Sequence, residues 1–322
     1  MKIVLAVLAA VALAVSAAAP SAADAVVTAP TAVPTVAGPA QTGHGAAAAY
    51  AKGNLAAAPP GANDFACKPT ALKPRPVVLL HGNDASAYSD MARLSPTLVA
   101  AGFCTFALNY GGKPGEQTYG TQDIPASAAA VAEFVDRVLS ATGAAKADVL
   151  GYSTGATVSR YYVNRLGGAA KVEHWIGLAS PSYGGVMYGV VPVVQAIPGG
   201  VDAAGLAVPP AVVQQMQGSA FMIALNRGGD TVPGVRYTTI GTRFDEMIQP
   251  VANMALRGRG ATNIIVQDLC PINQTGHFNM IYDPFTLQLV VNALDPSTAS
   301  TPHCEFVALG TGIPEVVMSA HS

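Results

Sequence analysis

From residue 74 onward, short apolar runs rich in β-branched residues alternate with longer stretches of helical period, and few folds accept that rhythm. The runs are PVVLLHG (76–82), FCTFALNY (103–110), ADVLGY (147–152), WIGLAS (175–180), VRYTTIG (235–241) and NIIVQD (263–268). Between and after them lie helical segments. Ser89–Ala101 carries Met91, Leu94, Leu98 and Ala101 at helical spacing. Asp123–Gly143 places Val131, Phe134, Val135, Val138 and Leu139 on one face, with Pro125 suited to its first turn and Gly143 to its C-terminal cap. Residues 154–166 stop at Gly167 and Gly168, and DPFTLQLVVNAL (283–294) closes the series. Strands apolar on both faces, alternating with helices, imply an α/β fold: a mostly parallel central sheet with helices on both faces. A chain of 322 residues that is 51% hydrophobic has material for one such core. Residues 181–234 break the rhythm, and their Val, Pro, Gly and Met fit either a cap over a site or further core packing.

The amino terminus follows a different logic. Lys2 precedes an apolar run that ends in small residues, the pattern of a secretory signal peptide over residues 1–23, cleaved after Ala23. The run falls short of the ~20 residues that span a bilayer, so no stable membrane span is expected and the chain reads as secreted. Residues 24–62 are rich in Ala and Pro and lack periodicity, which predicts a disordered spacer or propeptide; His44 lies within it. The catalytic domain is expected over residues 63–322. A net charge of −2 without a basic cluster argues against nucleic acid and against a polybasic membrane contact. Four cysteines (Cys67, Cys104, Cys270, Cys304) show no metal-binding spacing. In an exported chain they suggest disulfides; three pairings are possible, and sequence order favours 67–104 and 270–304.

DVLGYSTGAT (148–157) puts Ser153 between two glycines where a strand gives way to a helix. In a glycine-rich chain the pentapeptide alone is weak, but the strand–turn–helix setting is the one a nucleophilic serine needs. Small neighbours permit a crowded backbone there, and the helix N-terminus points N–H groups at any negative charge that forms. Such a serine needs a base and an orienting acid, which in this architecture follow in the order Ser, Asp, His on loops after later strands. Of the six histidines, His44 and His321 lie in the spacer and the tail, His81 precedes the serine and His174 opens a strand. His277, in NQTGHFNMIYDP after the last strand, is the expected base, and His303 the lesser candidate. Asp245, following the penultimate strand, is the expected acid, with Glu246 and Asp268 as fallbacks; Asp202 and Asp230 are less well placed. The backbone N–H groups of Thr154 and Asn83 are the expected oxyanion donors, with the Asn83 or Ser86 side chain as possible help. No metal or cofactor is required.

VVLLHGN, GYSTGA, IGTRFDEMIQP and TGHFNMIYDP together resemble secreted bacterial triacylglycerol lipases of the class 2 type, with the α/β-hydrolase fold. They are similar also to yeast lipase B, a likeness that extends to SPSYGG, GSAFMIAL and the placement of the cysteines. The resemblance covers residues 65–305. It implies Ser153, Asp245 and His277 as triad, Asn83 and Thr154 as oxyanion donors, and disulfides 67–104 and 270–304. It implies a lipid ester as partner, met at an oil–water interface. The residue pattern alone implies a serine hydrolase, within which esterase, polyesterase and acyltransferase are the alternatives; a non-catalytic hydrolase-like binding protein is the alternative outside it.

Overall fold

The computed structural model describes residues 31–113, 116–186, 196–200 and 208–316. The expected signal peptide lies outside these residues, as do parts of the irregular 181–234 region, including Asp202.

The first described residues correct one expectation. Residues 31–62 are not a structureless spacer but part of the folded unit. β1 (Val36–Ala37) pairs in parallel with β2 (Ala57–Ala58), and α1 (His44–Gly53) connects them. Small side chains allow the close approach: a Cβ on Gly38 would run into the Tyr88 ring, and one on Gly45 into Glu315. Ala47 is fully buried, and the Tyr50 ring lies 4.9 Å from that of Tyr88. Asn63, expected as the domain's first residue, ties this segment down by donating its side-chain amide to the carbonyls of Pro34 and Ala107, both at 2.9 Å. Composition pointed to disorder because alanine and proline carry no periodicity; they also make a thin layer that fits flush on a finished surface.

The central sheet holds all six expected strands: β3 (Val77–Leu80), β4 (Thr105–Leu108), β5 (Ala147–Tyr152), β6 (Val172–Leu178), β7 (Arg236–Gly241) and β8 (Thr262–Ile265). Their order is β4-β3-β5-β6-β7-β8 and every pairing is parallel. β3 is buried at each position, and its successive side chains enter different cores: Val77 and Leu79 one, Val78 and Leu80 the other. The first core is closed by α2 (Ala87–Met91), α3 (Leu94–Ala100) and the late helix α9 (Pro284–Leu294), through Tyr88, Leu94, Leu98 and Phe285. The second is closed by α4 (Ile124–Thr142) and α5 (Thr154–Arg165), through Val131, Val135, Val138 and Val158. Two short helices, α6 (Pro210–Gln214) and α7 (Ala220–Asn226), lie between β6 and β7, and α8 (Val266–Leu269) follows β8.

Local chemistry sets the boundaries. Asp123 caps α4 by accepting the Ala126 N–H at 2.9 Å, and Gly143 ends it with φ +75°. The single helix expected over Ser89–Ala101 is two: Ser86 caps the first through the Ser89 N–H, and Pro96 has no N–H to offer the Ala92 carbonyl one turn back, where the break falls. The last strand stops at Ile265, short of the expected Asp268, because the chain turns into α8. Disulfides join Cys67 to Cys104 and Cys270 to Cys304, with Cα separations of 5.9 and 5.4 Å. One fastens the lead-in to the sheet at β4; the other fastens the C-terminal segment beside β8.

Candidate active site

At the end of β5 the backbone makes a turn that only a few side chains tolerate. Ser153 has φ +53° and ψ −120°, followed at once by the first residue of α5. The strand hands over to the helix so abruptly that Gly151 and Gly155 nearly touch: a Cβ on Gly151 would overlap the Gly155 carbonyl, and one on Gly155 would overlap the carbonyls of Leu80 and His81. The Ser153 N–H donates to the Leu178 carbonyl of β6 at 2.9 Å, which anchors the turn to the sheet.

Three side chains meet above this edge. His277 Nε2 lies 3.1 Å from Ser153 Oγ, and its Nδ1 lies 2.8 Å from Asp245 Oδ2. All three are buried. Asp245 is held by two further bonds, its Oδ1 accepting the N–H of Met247 (2.8 Å) and of Ile248 (2.6 Å). An acid so fixed keeps a proton on Nδ1 and leaves Nε2 facing the serine as an acceptor. The loop that carries the imidazole is itself braced. Tyr152 O–H donates to the His277 carbonyl at 2.9 Å, and the His277 backbone N–H donates to Glu246 Oε2 at 2.5 Å. Glu246, the fallback acid, thus holds the His277 backbone from behind, and Gly276 leaves it room.

Burial alone would push the His277 imidazole down. The charge and hydrogen bond of Asp245, with Glu246 and Asp90 behind it, outweigh that, and the net displacement is upward from its ordinary value. Glu246 is raised as well, chiefly by burial. Asp90 is fully buried beneath the site. Its Oδ2 accepts the Gly82 N–H at 2.6 Å and its Oδ1 lies 3.1 Å from His44 Nε2. Because Gly82 precedes Asn83, the N-terminal segment reaches the proposed oxyanion loop through this carboxylate. The His44 ring also lies 6.2 Å from that of Phe278, the residue after His277, and 6.3 Å from that of Tyr282.

The remaining candidates stand elsewhere. His303 and Asp268 are exposed, paired with Glu305 and Arg243. Asp230 is buried but bonds Tyr183 and the Arg257 N–H. His81 stacks on Tyr110 at 4.3 Å, and His174, pushed down to about 3 by burial, Arg236 and Arg75, bonds Thr238 within the sheet. The side chains expected to assist the oxyanion donors are engaged with protein: the Asn83 amide faces the Gly120 carbonyl (3.1 Å) and the Asp84 N–H (3.2 Å), and Ser86 Oγ accepts the Ser89 N–H. Three residues at the site had no signal in the sequence: Asp90, Glu246 as a brace, and Gln215. Gln215 follows α6 and is buried; its Nε2 donates to Thr154 Oγ1 and to the Ala211 carbonyl, and its Oε1 accepts from Thr157 Oγ1, each at 2.9 Å. No group of three or more His, Cys, Asp or Glu among the described residues is arranged to hold a metal, and no described helix is long and apolar enough to cross a membrane.

The arrangement can take a proton from a hydroxyl and hold it on an imidazole, next to a helix N-terminus that attracts negative charge. Comparison with known proteins bears on the chemistry. The family model described as Lipase (class 2) matches residues 74–290. Among solved structures, Aspergillus fumigatus lipase B is similar with a TM-score of 0.59 and 21% identity, over 76% of this chain and 57% of that one. The mature form of Bacillus licheniformis lipase BlEst2 is similar with a TM-score of 0.50 and 18% identity, over 70% of this chain and 94% of that one. At these identities the likeness carries the α/β-hydrolase fold. This chain spans little more than half the length of the Aspergillus protein. A search of curated proteins finds no match.

Proposed function

Because the chain belongs to the class 2 lipase family, we propose that it is a secreted carboxylic-ester hydrolase, acting on triacylglycerols at an oil–water interface through an acyl-enzyme on Ser153. One observation carries the reading: an unbroken line of contacts from Ser153 Oγ through the His277 imidazole to Asp245, starting on a strained strand-to-helix turn. His277 takes the serine proton as Oγ attacks the ester carbonyl. It returns that proton to the departing alcohol, then takes one from water as hydroxide attacks the acyl carbon, and gives it back to Ser153 Oγ as the acyl bond breaks and the acid is released. Asp245 fixes the tautomer and stabilises the imidazolium. The N–H groups of Thr154 and Asn83 stabilise the oxyanion; Thr154 opens α5, so its N–H has no helical carbonyl to serve.

Export is supported by the leader pattern of residues 1–23 and by two disulfides. The mature protein is then one catalytic domain, in which residues 31–62 take part. A lipid ester as substrate is supported by the family. A fluorophosphonate probe tests the mechanism: it labels Ser153, and Ser153→Ala abolishes both labelling and hydrolysis of p-nitrophenyl esters. Full activity in that variant rules the mechanism out. Turnover across an acyl-length series, on dissolved and emulsified substrate, separates lipase from soluble esterase.

A further inference from the structure

The nucleophile's neighbour carries a hydroxyl whose proton finds no acceptor among the described residues. Gln215 determines this. The Ala211 carbonyl can only accept, so the Gln215 atom bonded to it is the amide nitrogen, and the same nitrogen donates to Thr154 Oγ1. The amide oxygen is occupied by the Thr157 hydroxyl. Thr154 Oγ1 is therefore an acceptor toward Gln215, and its own proton cannot be returned there. The usual outlet for a helical threonine, the carbonyl one turn back, is closed because Thr154 is the first residue of α5 and the preceding turn is sheet. Among the described residues no acceptor takes this proton, although the residue is buried. Of the side chains near the oxyanion loop, the Asn83 amide meets Gly120 and Asp84, and Ser86 Oγ accepts the Ser89 N–H in the cap of α2.

We propose that the Thr154 hydroxyl is a third oxyanion donor, alongside the two backbone N–H groups, and that Gln215 is the positioning residue that turns its proton toward the substrate. The proposal rests on the reading of Ser153 as the ester nucleophile. As Oγ bonds to the carbonyl carbon, the oxygen takes the electron pair of the broken π bond, and Thr154 O–H donates a hydrogen bond to it without transferring its proton.

The test uses the full-length secreted protein, p-nitrophenyl butyrate as substrate and a trifluoromethyl ketone as mimic of the tetrahedral adduct. Thr154→Val keeps shape and removes the hydroxyl; it lowers kcat about 100-fold, at the low end of the loss of one oxyanion donor, with KM within about twofold. Ketone affinity falls with kcat. Thr154→Ser restores kcat to within about threefold of wild type. Gln215→Glu replaces the donating nitrogen by an acceptor, so the Thr154 proton turns away from substrate. That variant loses kcat as Thr154→Val does, and the double variant is no slower than Thr154→Val alone. Wild-type kcat and ketone affinity in Thr154→Val overturn the proposal, as does failure of serine to rescue; the valine–serine pair decides even if the buried glutamate unfolds the chain. A wild-type protein that neither hydrolyses the ester nor is labelled by fluorophosphonate sinks the ester-hydrolase reading and this assignment with it. An active, labelled wild type beside an indifferent Thr154→Val sinks the donor assignment alone.

Discussion

Replacing His44 by alanine separates a passive N-terminal spacer from an integral part of the fold. In the structure the His44 imidazole lies 3.1 Å from Asp90, a carboxylate with 1% of its side chain exposed, and its ring packs against Phe278 and Tyr282. Removing a hydrogen bond to a buried charged group costs about 1.5–3 kcal/mol. Loss of the ring contacts adds about 0.5–1 kcal/mol. Asp90 keeps the Gly82 N–H, which limits the damage, so the expected total is about 2–4 kcal/mol. For a domain of this size that corresponds to a fall of roughly 3–8 °C in Tm, read by circular dichroism or differential scanning fluorimetry. His44→Phe, which keeps a ring but no nitrogen, falls between the two. Because Asp90 also holds the Gly82 peptide, kcat toward p-nitrophenyl esters drops in His44→Ala while fluorophosphonate still reaches Ser153. A Tm within about 1 °C of wild type refutes the reasoning, because a dangling spacer is the one arrangement that makes His44 dispensable.

Gly155→Ala forces a methyl group into the carbonyls of Leu80 and His81; kcat falls roughly 100-fold as the nucleophile shifts by about 1 Å, with a smaller loss of Tm, and near-normal kinetics count against the crowding. Glu246→Gln removes one of the charges that raise the His277 imidazole, so the acid limb of kcat/KM moves to lower pH; an unmoved limb means that Asp245 and Asp90 alone set it. The sign for stability is fixed by the same displacement: the imidazole's contribution is present at low pH and is lost as the pH rises through its elevated folded value, and Glu246→Gln shrinks it. Replacing Cys270 and Cys304 by serine opens a loop with a sequence separation of 34 and lowers stability by about 3–4 kcal/mol, seen as a lower urea midpoint.

The sheet was legible because burial on both faces leaves uninterrupted apolar runs, and helices such as α4 advertise themselves by one apolar stripe and their caps. Ser153, Asp245 and His277 were legible as candidates because each follows a strand, and in a parallel sheet all strand ends share one edge. What stayed hidden depends on contacts between distant segments. The N-terminal layer has no period to read, since its fit comes from missing side chains such as those of Gly38 and Gly45. Gln215 is an ordinary amide until α6 delivers it to Thr154, and Glu246 looks like an alternative acid until the His277 N–H is seen to bond it. The split of the 89–101 helix was readable in principle, from Pro96.

The contact between His44 and Phe278, with Gly45 against Glu315, has a consequence for synthesis. The amino-terminal layer can pair β1 with β2 and settle on Tyr88 and Asp90 early, but its contacts with Phe278 and Glu315 wait for residues made last. A nascent chain arrested before residue 276 owns its serine and its aspartate, yet has no imidazole to join them. Completion of translation, rather than growth of the sheet, is the event that assembles this site.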